Sequence, residues 1–227
     1  MNRLLVSSYN VHGGVGLDRR FDPQRIADVL AEIDADVVAL QEVSSRQAGL
    51  DLGAFLGAAG GYQLIEGATW KSPHGPFGNA LLTRLPLREV HRHEISVARR
   101  EPRGAIDATL EWAGQPLRVI ATHFGLKPGE RFFQARRIVE LAGKAILPTV
   151  LLGDINEWVP RAASLRCLRQ EFGREREVLT FPAPLPALAL DRLWVHPGAL
   201  LHEMRAHATR LARVASDHLP LVAELRS

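Results

Sequence analysis

The chain alternates short apolar runs with a few stretches of helical period. LLVSSYNV (4–11) and VVALQEV (37–43) read as strands, the second buried and ending in polar residues. Between them, FDPQRIADVLAEIDA (21–35) predicts a helix. Asp22 caps it, Pro23 suits its first turn, and Ile26, Val29, Leu30 and Ile33 form one apolar stripe. A further helix is expected over 46–58. YQLIEG (62–67), NALLTR (79–84), LREVHRHEI (87–95), IDATLEW (106–112) and PLRVIATHF (116–124) predict successive strands parted by turns. ERFFQARRIVELAGKAI (130–146) is amphipathic at the helical period, TVLLGDIN (149–156) is a buried strand running into a loop, and 160–172 reads as helix. TFPAPLPALAL (180–190) is proline-rich but reads as an ordered loop, because the strand LDRLWVH (190–196) follows at once. LLHEMRAHAT (200–209) and LPLVAEL (219–225) complete the pattern. About ten strands and four helices in this order suit two stacked sheets with helices outside. No repeat, low-complexity tract or composition shift divides the sequence, so one domain over 1–227 is expected.

Composition narrows the class. Cys167 is the only cysteine, which excludes a disulfide framework and a cysteine zinc site and suits a reducing, cytoplasmic setting. MNRLLVSSYNV enters a strand pattern with no leader-like apolar region, and no apolar run reaches the length of a membrane span. The formal charge is +3, a mild excess that favours an anionic substrate only weakly. Arg99, Arg100 and Arg103 cluster, as do Arg131, Arg136 and Arg137, and Arg166 and Arg169; each cluster reads as a solvated face.

A recurrence at strand ends changes this picture. Asn10 and His12 end SYNVH; Gln41 and Glu42 end the run VVALQE; His123 ends IATH; Asp154 and Asn156 follow LLG; Asp191 follows LAL; and Asp217 and His218 open the last apolar run. Singly, each has a plain reading. Asn10 can bond a turn, His123 can be a satisfied core histidine, Asp154 and Asn156 can close an Asx turn, and Asp191 can pair with Arg192. Glu42 would be a buried carboxylate in need of a metal, an arginine or donors. Six such coincidences are too many. If the strands lie side by side, the residues make one acidic, imidazole-bearing pocket.

Metal-assisted attack of water on a phosphoester fits that residue set. Hard cations such as Mg²⁺ prefer oxygen ligands, a metal polarises a phosphoryl oxygen, and carboxylate or imidazole groups orient and deprotonate water. Few cysteines and few close histidine pairs argue against a zinc hydrolase.

YNVHG, LQEV, GNALLTRLPL, THFGL, LLGDINEW, LDRLWV and SDHLPLVAEL, in that order, resemble the endonuclease/exonuclease/phosphatase superfamily over nearly the whole chain. The resemblance implies a four-layer α/β/β/α sandwich with two mixed, largely antiparallel sheets. It implies a Mg²⁺ or Mn²⁺ site with Glu42 as principal ligand, supported by Asn10 and Asp217. His218 would face the scissile phosphate, oriented by Asp191. Asp154 would position or deprotonate the attacking water, and Asn156 and His123 would stabilise phosphoryl oxygens. Either Asp154 or His218 can be the base. Asn79 would border the site, and Arg103, with Arg100 as competitor, stands where the family often carries a phosphate-contacting arginine. His12 departs from the acidic residue that several nucleases of the family carry there.

The fold does not select the substrate. Trp70, Phe77 and Trp158, in loops expected beside the site, can stack on a base or contact an acyl chain. The expected activity is a phosphodiesterase on a small or lipid-linked phosphoester. The alternatives are a DNA or RNA nuclease and a non-catalytic phosphate-binding module.

Overall fold

The computed structural model describes residues 2–44, 49–72, 75–143 and 147–227. Two mixed sheets form. The first has the order β10-β11-β1-β2-β4-β3, made by Leu201–Ala206 (β10), Leu221–Arg226 (β11), Arg3–Asn10 (β1), Val37–Ser44 (β2), Gly75–Thr83 (β4) and Gln63–Ser72 (β3). The second has the order β5-β6-β7-β8-β9, made by Leu87–Glu94, Gly104–Trp112, Gln115–His123, Thr149–Asp154 and Asp191–His196. The helices are Pro23–Ile33 (α1), Leu52–Gly60 (α2), Pro128–Ala142 (α3), Ala163–Phe172 (α4) and the short Ala212–Ala215 (α5).

The side-chain period of two decides the layering. In β1, Leu4 and Val6 enter the core between the sheets, while Leu5 and Tyr9 face α1 and α2. In β2, Val37 and Ala39 point inward and Val38 and Leu40 outward. β8 repeats this on the other sheet: Val150 and Leu152 point inward, Leu151 outward to α3 and α4. Strands covered on both faces need apolar residues at every position, which is why these runs are continuous. Three apolar clusters therefore separate four layers, α/β/β/α.

The element boundaries differ from the sequence pattern in places. The expected helix over 46–58 starts at Leu52, with Asp51 accepting from Ala54 N at 2.9 Å; residues 46–48 lie outside the described residues. α3 stops at Ala142, ahead of Gly143 at φ +60°, and residues 144–146 of the expected helix also lie outside the described residues. α4 starts at Ala163 rather than 160, and α5 has no counterpart in the sequence reading.

Topology gathers the polar strand ends. β1 and β2 are parallel, as are β7 and β8, so Asn10, His123 and Asp154 close their strands at one end of the sandwich, with Glu42 near the end of β2 beside them. β9 runs antiparallel to β8 with Asp191 opposite Asp154, and β11 runs antiparallel to β1 with Leu221 opposite Ser8. The start of each of these strands meets that same end, which brings in Asp191, Asp217 and His218.

Candidate active site

Glu42 reaches the site through an irregularity. The pairing of β2 with β4 shifts register between Leu40 and Val43, and Glu42 has φ +58°. A bulge re-aims a side chain that regular alternation would place elsewhere. Glu42 Oε1 accepts Asn10 Nδ2 at 2.9 Å, and the same amide donates to Asp154 Oδ2 at 3.1 Å. One buried amide thus ties a carboxylate of the first sheet to a carboxylate of the second. Asn10 Oδ1 accepts from His12 N, so the turn role and the site role coexist.

His218 Nδ1 meets Asp191 Oδ2 at 2.8 Å, and the same oxygen accepts Thr180 Oγ1 at 2.6 Å. His218 Nε2 then lies 3.8 Å from Asp154 Oδ2. Burial alone would lower the imidazole pKa. The Asp191 carboxylate outweighs it, with Asp154 and Asp217 adding, and the pKa is pushed up to about 10. Asp154 moves up to about 6: burial raises it, neighbouring Asp191 adds, and His218 and the Asn10 and Asn156 donors oppose.

His123 sits 3.5 Å from Asp154 through Nε2. Arg103 Nη1 lies 3.1 Å from its Nδ1. A guanidinium and an amide nitrogen only donate, and Asn156 Nδ2 faces Nε2, so the neutral ring accepts from only one of these two neighbours. Burial, then the charges of Arg103 and His218, hold this ring well below its usual pKa, so it stays neutral. Asn156, at φ +55°, places its amide against His123 Nε2 (3.1 Å) and donates to Phe124 O (2.9 Å), while its backbone N–H donates to Asp154 Oδ1 at 2.9 Å. The Asx turn and the site are one structure. Gly153 permits it: at φ +153°, with Thr122 backbone against the position of a Cβ, β8 approaches β7 closely enough to set Asp154 opposite His123.

Asp217 is half-buried and accepts Ser216 Oγ at 3.3 Å; Ser216 Oγ also donates to Asn10 O at 2.8 Å, joining the last two site residues to β1. Asn79 spends its amide on Gly104 O at 3.0 Å and braces, across the sheets, the strand that follows Arg103. Trp158 is exposed at the rim, with the Arg131 guanidinium 5.3 Å from its ring centre. Beyond Arg103 lies a cavity of about 300 Å³ lined by Thr69, Arg92, His93 and Ser96 among others.

Several supporting residues escaped the sequence reading. Thr180 and Phe181, whose ring centre is 4.9 Å from that of His218, lie in the proline-rich stretch that reads only as loop. Arg131 is buried rather than solvated and forks onto Glu157 at 2.9 and 3.2 Å. Arg192 does not pair with Asp191. It donates to Glu157 O and to Glu175 Oε1, knitting the segment after Asn156 and the segment after α4 to the start of β9. Glu130 and Asp191 precede these arginines with opposite charge, and no local signal shows that the pairs diverge.

The sequence profile of the Endonuclease/Exonuclease/phosphatase family matches residues 7–218. The chain belongs to this family. Phosphoester hydrolysis is therefore its class of reaction. The uncharacterized protein YbhP of Escherichia coli K12 is 28% identical over 243 residues, covering 97% of this chain and 95% of its own. A family protein from Bacteroides thetaiotaomicron superposes with a TM-score of 0.83 at 20% identity, over 98% of this chain and 97% of its own. The mannosyl-6-phosphatase Bt3783 of the same species superposes with a TM-score of 0.79 at 19% identity, over 99% and 100%. These structural likenesses establish the family's fold. No helix among the described residues is long and apolar enough to cross a membrane.

A divalent ion is the group the family implies, and the donors here can be tested against it. Among the described residues no three Asp, Glu, His or Cys side chains converge on one point. Glu42 Oε2 and Asp217 Oδ2 accept no hydrogen bond from those residues. Two carboxylates with spare oxygens fit a hard cation that keeps most of its water, as Mg²⁺ does, and would be poor for zinc.

Proposed function

We propose that the chain is a Mg²⁺- or Mn²⁺-dependent phosphodiesterase acting on a small or lipid-linked phosphoester, with one catalytic domain spanning 1–227. The observation that carries this is the amide of Asn10 joining Glu42 and Asp154 across the two sheets, beside the His218–Asp191 pair. Glu42 would hold the ion, with Asn10 and Asp217 in support, and the ion would polarise a phosphoryl oxygen.

The protein groups divide the remaining chemistry. Asp154 orients the attacking water and takes its proton, since a buried carboxylate with raised proton affinity suits a base near neutral pH. His218 keeps its proton under the influence of Asp191 and donates to developing negative charge. His123 stays neutral, is held between Arg103 and Asn156, and would stabilise phosphoryl oxygens beside Asp154. Asn79, Arg103 and Trp158 bound the substrate space, and the cavity beside Arg103 has the size for a sugar- or nucleoside-sized group.

The test is hydrolysis of a chromogenic diester, the matching monoester and a plasmid, with Mg²⁺, Mn²⁺ or EDTA. EDTA-sensitive turnover of the diester above the other two is expected. Preference for the plasmid would make the protein a nuclease, and phosphate binding without turnover of any of the three would make it a binding module.

A further inference from the structure

Half of the ten large apolar side chains exposed among the described residues come from two short segments: Leu126, Phe132, Phe133, Trp158 and Val159. Leu126 is 64% exposed and the others 39–49%, although scattered exposed apolar residues are ordinary and a cluster is not. The two segments follow β7 and β8, the strands that end in His123 and Asp154. They also touch. Arg131 Nη1 donates to Leu126 O at 2.7 Å, and its guanidinium covers one face of the Trp158 ring. The same loop shares a cavity of about 120 Å³ with Arg100 and Arg103, so the patch abuts the site.

The helix pattern is unusual at this point. In α3 the inward positions are Glu130, Arg131, Gln134, Ala135 and Ile138, which turns Phe132 and Phe133 outward with Arg136 and Arg137 one turn behind them. Exposed positions of a helix normally carry polar residues. The rim charge is mainly positive. Lys127, Arg161 and Arg166 are exposed, Glu130 and Glu157 are buried, Glu140 is engaged by Arg136 and Arg137, and Glu101 by Arg103.

We infer that this apron, formed by Leu126, Phe132, Phe133, Trp158 and Val159 with its basic rim, docks the enzyme on an anionic bilayer surface. Aromatic rings settle at the headgroup level, aliphatic tips enter the acyl boundary, and basic side chains are drawn to anionic lipids. Leu126 and Val159 have no ring face to stack on a base, which favours a lipid surface over nucleic acid. The inference deepens the proposed function by presenting a lipid-linked phosphoester to the site, and for that last step alone it rests on the hydrolase reading.

Co-sedimentation with vesicles of phosphatidylglycerol and phosphatidylcholine tests it, with phosphatidylcholine alone and single-stranded DNA as comparison probes. Wild type and a Leu17→Ser control should pellet with the anionic vesicles, less so at high salt. Phe132→Ser/Phe133→Ser and Leu126→Asn/Val159→Asn should each bind about tenfold or more weakly. Both variants should keep wild-type thermal unfolding and wild-type hydrolysis of the soluble diester. A wild type that stays in the supernatant, variants that bind as it does, or a patch-dependent preference for the DNA would overturn the inference. Failure of wild type to hydrolyse the diester would count against the hydrolase reading alone and leave the vesicle result standing.

Discussion

Asp154 accepts a hydrogen bond from Asn10 on one side and lies 3.5 and 3.8 Å from the imidazoles of His123 and His218 on the other. The role of base proposed for it makes a residue-scale prediction. Asp154→Asn should lower kcat by roughly 10²–10⁴-fold, the usual worth of a positioned base, with little change in KM. Steady-state kinetics in excess Mg²⁺ would check it, and a rise in KM with kcat intact would speak for a binding role instead. The His218–Asp191 pair makes another. The folded pKa of His218, about 10, exceeds the usual 6.5, so the pair's contribution is present in full below pH 6.5 and is lost as pH rises through about 10. In urea titrations of the metal-free protein, the stability gap between wild type and His218→Gln should narrow over that window. A gap independent of pH would mean that His218 is neutral throughout.

At the scale of elements, two features hold the loops of the candidate site. Gly153 lets β8 pass against Thr122, so Gly153→Ala should cost more than about 2 kcal/mol in chemical denaturation, through backbone collision and an unfavourable φ. A near-neutral substitution would show that β7 and β8 can separate there. Glu157 neutralises the buried Arg131 and accepts from Ser164 Oγ at 2.9 Å. Removing only one partner strands a buried charge: Glu157→Gln should destabilise by about 3–5 kcal/mol, and the double variant Arg131→Met/Glu157→Leu should regain much of the loss. These features also mark the limits of what the sequence reveals. Val37–Leu40 and Thr149–Leu152 read as buried strands because apolar residues fill both faces. Arg131 resembles a surface arginine and Arg192 a partner of adjacent Asp191, since their carboxylate partners are 26 and 17 residues away and nothing local points to them. Thr180 reaches Asp191 and Phe181 reaches His218 from a stretch with no periodic signal, and α5, at four residues, is too short to produce one.

For the whole molecule, the order of strands converts a repeated sequence pattern into one site. Parallel pairing of β1 with β2 and of β7 with β8 directs four strand ends one way, and antiparallel β9 and β11 return their starts to the same place. That convergence was legible, because the polar residues stood at the ends of recognisable strands. The neutral form of His123 was not, because it follows from burial and from Arg103, which precedes a neighbouring strand. The central claim is that carboxylates delivered by different sheets act as one hydrolytic unit. The most direct measurement is kcat/KM for the diester with Glu42→Ala, Asp154→Asn and the double variant, each in Mg²⁺. If the sheets build one site, each single variant loses most of the activity and the double is hardly worse than the poorer single, as for groups that act together. Losses that multiply in the double variant would contradict the account and place Glu42 and Asp154 in independent roles.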